Sequence, residues 1–153
     1  YEHRQYIQFP SNIPPKNQML EVMRVCTHPD FRKSDLLKCM FRQMGMTILQ
    51  SKRRWMIGCS TDTLLPLYRR IGCKITPLRY RNKDLGDLEH TVILLDFQNA
   101  VAGVGINPIV WNILYADGIK YLHENHFIQF TPVMRLRIAV YKLFKPLAAL
   151  FSP

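Results

Sequence analysis

Apolar and polar positions change rhythm several times along this 153-residue chain, and each change predicts an element. Residues 19–26, Met-Leu-Glu-Val-Met-Arg-Val-Cys, alternate as a half-covered strand does. Beyond Ser34 the period lengthens. Leu36, Leu37, Met40, Phe41, Met44, Ile48 and Leu49 fall on one side of a helix and Lys33, Lys38, Arg42 and Gln50 on the other, with Asp30 or Ser34 as its cap. Trp55-Met-Ile-Gly-Cys59 is a continuous apolar run, which predicts a strand parallel to the first and covered on both faces. A short helix follows, capped by Asp62 or Thr63, with Pro66 early enough to be tolerated and Gly72 as its stop. Residues 75–80 and 90–96 predict an antiparallel hairpin around a turn at 82–87. Asn107-Pro108 opens a helix to about Glu124, with Val110, Ile113, Leu114, Asp117 and Tyr121 at helical spacing, and Thr131-Pro132 opens a last one. Ahead of all these, Tyr6-Ile-Gln-Phe9 predicts a short strand before a turn with three prolines.

A chain of this length that is 48% hydrophobic can enclose one real core. Charge adds a second constraint: 21 Lys and Arg against 11 Asp and Glu leave +10. Lys52, Arg53, Arg54, Arg69, Arg70, Lys74, Arg79, Arg81 and Lys83 face only Asp62 and Asp84 in the same stretch, a field that attracts an acidic partner. Nucleic acid is disfavoured among such partners, because no zinc-finger, helix-turn-helix or RNP-like aromatic pattern accompanies the charge. Cys26, Cys39, Cys59 and Cys73 form no C-x-x-C pair and lie at no ligand spacing from the histidines, so no metal is expected. With no secretory signal and no apolar run of transmembrane length, the expected location is the reduced cytoplasm. The chain lacks an initiator Met and starts in mid-pattern, as a fragment would.

Three short motifs carry candidate chemistry. Glu21-x-x-Arg24 lies on the first strand, and Val25-x-x-His28-Pro-Asp-Phe-Arg32 leads from it into the first long helix. A strand that ends in a turn and feeds a helix presents free backbone N–H groups and a positive dipole end, which suits an anion. Leu67-Tyr-Arg-Arg-Ile-Gly72 is the third motif. In this order and spacing they resemble the second half of the GNAT superfamily of N-acyltransferases, and within it the branch that uses acyl carrier protein, the N-acyl amino acid synthases and acyl-homoserine-lactone synthases. The resemblance covers residues 20–96.

That resemblance implies an α/β fold: a GNAT-like mixed sheet with flanking helices over residues 1–127, its N-terminal part missing, and a C-terminal amphipathic helical extension over 128–153. It implies transfer of a fatty acyl group from acyl carrier protein to the amine of an amino acid or similar small molecule. Glu21 would be the general base or water-orienter, Arg24 its charge partner or a carboxylate clamp, and Tyr68 the group that protonates the leaving thiolate. Val25, Thr27, Arg32, Lys33, Ser34, Asp35 and Leu36 would hold the donor. Where the superfamily usually reads Arg/Gln-x-x-Gly-x-Gly/Ala, this chain reads Arg32-Lys-Ser-Asp-Leu-Leu37, with Asp35 and Leu37 at the glycine positions. A carboxylate there repels a pyrophosphate, which tilts the donor from acyl-CoA toward acyl-4′-phosphopantetheine on acyl carrier protein, with no bound cofactor.

Each assignment has a plainer counterpart. Residues three apart on an ideal strand face opposite sides, so Glu21 and Arg24 meet only across a bulge. The superfamily commonly bulges there, opening a V-shaped slot for the pantetheine arm; otherwise the two form a structural ion pair. Tyr68 can be a packing residue and His28 a turn residue. Arg69, Arg70 and Lys74 are solvated charges, or a carrier-protein footprint if the main reading holds. The last helix packs on the domain or a second subunit, or lies peripherally on the inner face of a membrane. The rival functions are an acetyl-CoA-dependent N-acetyltransferase and a non-catalytic basic module that docks on an acidic partner or membrane surface.

Overall fold

A computed structural model describes residues 8–11, 13–23, 25, 26, 28–31, 34–83, 86–126 and 129–150. The chain runs β1 (Met19–Glu21), α1 (Leu36–Gln50), β2 (Trp55–Ser60), α2 (Leu65–Arg70), β3 (Lys74–Asn82), β4 (Leu88–Asp96) and α3 (Phe97–Ala102), then α4 (Pro108–Trp111), a π-helical turn (Asn112–Ala116) and α5 (Asp117–Glu124) in succession, and α6 (Pro132–Leu150). The four strands form one sheet in the order β1-β2-β4-β3. β1 and β2 are parallel, while β4 is antiparallel to both of its neighbours, so the fold is α/β with a mixed sheet and flanking helices.

Strand alternation divides the apolar side chains between two cores. Met56, Ile93 and Leu95 point into the larger one with Ile48, Ile71, Trp111, Ile119 and Met134 from the helical segments and their connections. Ile57, Val92 and Leu94 point the other way, into a smaller cluster with Met19 and Tyr80 that Phe9 and Ile13 help to close. The continuous apolar run of β2 is thus covered on both faces, as expected. β3 lies at the sheet edge, and its register with β4 shifts between Ile75 and Arg79. Pro77 falls in that interval and has no N–H to donate. The Thr76 hydroxyl bridges the irregularity, donating to the Val92 carbonyl at 2.8 Å and accepting from the Leu78 N–H at 3.2 Å.

Several expectations change on folding. The first strand ends at Glu21 rather than Cys26. Neither Asp62 nor Thr63 caps α2: the Leu64 N-cap has no side-chain cap bond, and Asp62 instead accepts from Thr91 and Arg79. Of the strand expected at 6–9, Tyr6 and Ile7 lie outside the described residues, and Gln8 and Phe9 have no regular structure. The helix over 108–124 is continuous, but it buries Trp111, Asn112, Ile119 and Leu122, leaving Ile113, Asp117 and Tyr121 exposed. Its π turn widens the spiral and offsets the buried stripe, which a uniform 3.6-residue period misses. Arg42 of α1 braces that turn, donating to the Ile113 carbonyl at 3.0 Å and pairing with Asp117 at 2.7 Å.

Candidate active site

Parallel pairing of β1 with β2 lasts only three residues, from Met19 opposite Trp55 to Glu21 opposite Ile57. The Val22 N–H still donates to the Ile57 carbonyl at 2.9 Å, and the Val22 carbonyl sits where a Cβ on Gly58 would come within 2.9 Å of it. Glycine is therefore required at 58 for the strands to approach before they part.

Where the pairing ends, a narrow cavity of about 50 Å³ lies between the strands and the helices that cover them. Val22 and Val25 line one side and Gly58 and Cys59 the other, with Phe41, Met44, Gly45 and Ile48 of α1 above and Leu114 and Tyr115 of the π turn behind. Gly45 has nothing within 4 Å of the position its Cβ would take, so the missing side chain leaves space in the cavity wall. The lining is predominantly apolar, suited to a thioester arm and alkyl chain rather than to a charged ligand.

Tyr68 of α2 also lines the cavity, edge-on to Phe41 with ring centroids 6.4 Å apart. Its hydroxyl has no hydrogen-bond partner among the described residues. Burial, and after it the charge of Cys73 and Cys59 when ionised, pushes its pKa up, so the phenol keeps its proton through neutral and mildly alkaline pH. Tyr115 is committed elsewhere: its hydroxyl donates to the Ile71 carbonyl at 2.9 Å, and burial pushes its pKa up as well. Tyr68 is therefore the available phenol of the cavity.

The remaining candidate residues are distributed differently. Val25 lines the cavity with Tyr68; Glu21 does not. Strand alternation directs Glu21 toward the sheet face opposite Leu20 and Val22, and its Oε1 is shielded from water. Ser34, Asp35 and Leu36 sit exposed at the start of α1. There the Ser34 hydroxyl donates to the Phe31 carbonyl at 2.6 Å and accepts from the Leu36 N–H at 3.2 Å, which settles the choice of cap in favour of Ser34. Arg24, Thr27, Arg32 and Lys33 lie outside the described residues. His28 occupies the turn, its Nδ1 3.4 Å from both the N–H and the carboxylate of Asp30.

The basic stretch separates into two groups. Arg54 pairs with Asp96 at 2.7 Å, Arg79 with Glu89 at 2.8 Å and Asp62 at 3.3 Å, and Arg81 approaches Asp87 at 3.8 Å. Arg69 and Arg70, on the same short helix as Tyr68, and Lys74 just after it are exposed and have no carboxylate partner among the described residues. Lys52, Arg53 and Lys83 are exposed and likewise have no carboxylate partner among the described residues, so the uncompensated charge lies partly beside the helix that carries the cavity's phenol and partly in the turns before β2 and after β3.

Reasoning from sequence did not identify Gly45, Gly58, Phe41 and Tyr115 as parts of this site. A glycine in the middle of a helix and another inside a strand were the available signals, since each costs stability unless something needs the space. The fold and this cavity define an α/β protein with an apolar cleft at a break in parallel strand pairing. No protein-family model matches the chain, and no curated protein matches it significantly.

Proposed function

We propose that this protein is a GNAT-type N-acyltransferase that moves a fatty acyl group from acyl carrier protein to the amine of an amino acid or similar small molecule. The observation that carries this reading is the cavity at the parting of β1 and β2, with a protonated Tyr68 in its wall. An acyl-pantetheine arm is long, thin and mostly uncharged below its phosphate, which matches an apolar cleft beside a strand gap. Exposed Arg69, Arg70 and Lys74 suit docking of an acidic carrier beside the helix that carries Tyr68. The Ser34-capped start of α1, with Asp35 beside it, is better matched to one phosphate than to the larger anionic cluster of coenzyme A.

In the reaction the acceptor amine approaches from the face of Glu21, and its nitrogen bonds to the thioester carbonyl carbon. Glu21 takes the amine proton. The C–S bond then breaks with its electron pair going to sulfur, and the Tyr68 hydroxyl donates a hydrogen bond to the developing thiolate. Because a phenol is already a weaker acid than a free thiol and burial pushes Tyr68 further the same way, it steadies the sulfur rather than losing its proton for good. Glu21 then gives its proton up to solvent and the thiolate takes one from solvent, so amide and thiol leave neutral.

The test is to incubate the purified protein with acyl carrier protein carrying a long acyl chain and a mixture of amino acids. An N-acyl product seen by intact mass, formed faster than from the same chain on coenzyme A, is the expected result. Release of no acyl-amine from either donor rejects the reading.

A further inference from the structure

We propose that α6 is a membrane-surface anchor that lays an apolar stripe into an anionic lipid bilayer. This inference rests on α6 and its surroundings, not on the proposed reaction. One side of the helix is fixed to the body: Met134 is 4% exposed, Arg137 donates to the Ile106 carbonyl at 3.2 Å, and the Thr131 hydroxyl caps the first turn through the Met134 N–H at 3.2 Å. Val133, Leu136, Val140 and Leu143 follow at intervals of three, four and three, which places them on one side of the helix. Val133 is 52%, Leu136 65% and Leu143 74% exposed, and Val140 is half-buried. Burial of such side chains in the headgroup and acyl boundary contributes the apolar part of binding.

Charge selects the occupant. Besides the body-facing Arg137, the sequence of α6 carries Arg135, Lys142 and Lys145 and no carboxylate, on a chain of net charge +10. A second copy would bring the same positive helix against this one, whereas an anionic leaflet complements it. Among the described residues no helix is long and apolar enough to cross a membrane, so α6 lies on the surface rather than spanning it.

Co-sedimentation with vesicles of equal parts phosphatidylcholine and phosphatidylserine tests the proposal, with pure phosphatidylcholine vesicles as control. The expected result is binding to the anionic vesicles alone, weakened by salt. The double variant Leu136→Ser with Leu143→Ser should reduce binding about 10-fold or more, and its exposed positions leave the melting temperature nearly unchanged. Arg69→Glu with Arg70→Glu serves as the control for attraction by the basic patch and should retain most of the binding. The proposal is overturned if the intact protein does not sediment with anionic vesicles, or if the serine variant binds as well as the parent. Loss of binding in the Arg69 and Arg70 variant alone also overturns it, as does a dimer in solution that the serine variant dissolves.

Discussion

Tyr68 and Glu21 stand on different structural footings, and substitutions at the two should separate accordingly. Tyr68 lines the cavity, so Tyr68→Phe should lower kcat by about 10²-fold with little change in donor KM, because the lost hydrogen bond forms only as sulfur gains charge. Glu21→Gln should also slow transfer by about 10²-fold, most strongly where the acceptor amine is protonated, while the protein stays folded. Unchanged kcat in either variant from neutral to alkaline pH makes that residue structural. Cys73 gives a separate test of burial. Its thiol is pushed up to about 12, whereas an unfolded thiol titrates near ~8.5. Between those values the folded chain holds a proton that the unfolded chain has lost, so stability is full below the lower value and falls as pH rises, by about 1.4 kcal/mol per pH unit. Tyr68 and Tyr115 steepen the fall above ~10. Urea midpoints across that alkaline range should drop, and less steeply in Cys73→Ala; a flat profile contradicts the buried thiol. At this scale the sequence made Tyr68 visible, because a tyrosine at that spacing is itself the motif. Gly45 and Gly58 stayed hidden because their role is the space they leave, which depends on what packs opposite.

Elements follow local periodicity wherever a single rhythm governs them. The apolar face of α1 over Met40, Phe41, Met44 and Ile48, though not at exposed Leu36 and Leu37, the two-sided burial of β2, the hairpin of β3 with β4 and the Thr131-Pro132 start of α6 were legible for that reason. Two features resisted because each depends on one local departure. β1 stops when its partner strand diverges, although alternation continues in the sequence to Cys26. The π turn at Asn112–Ala116 offsets the buried stripe without any proline or glycine to mark it. For function the decisive element is α2, a six-residue helix that presents Tyr68 to the cavity and Arg69 and Arg70 to solvent. If a carrier protein docks there, Arg69→Glu with Arg70→Glu should raise KM for acyl carrier protein about 10-fold or more at low salt and leave KM for a short pantetheine thioester nearly unchanged. Equal effects on both donors count against docking on α2.

Across the whole molecule, the positive charge is partly spent on internal pairs and partly free. Asp96 holds Arg54 and also caps α3, and Asp62 and Glu89 hold Arg79, while Arg69, Arg70 and Lys74 beside α2 and Lys52, Arg53 and Lys83 in the turns before β2 and after β3 have no carboxylate partner among the described residues. Composition revealed the excess but not this division, since pairing depends on how strands and turns bring carboxylates to particular arginines. The cavity also belongs to this scale, for it exists only where the segment after β1, β2, β4, α1, α2 and the π turn converge. Its occupant can be observed directly through methionine methyl groups, because Met44 and Met56 line the cavity whereas Met134 is buried outside that lining. The measurement is methyl NMR of the protein titrated with carrier protein bearing a non-transferable thioether analogue of the acyl-pantetheine arm, beside the same carrier without the arm. Shifts of Met44 and Met56 with the loaded carrier alone, and a quiet Met134, place the arm between β1 and β2. Identical spectra with the two carriers, or no change at Met44 and Met56, contradict it.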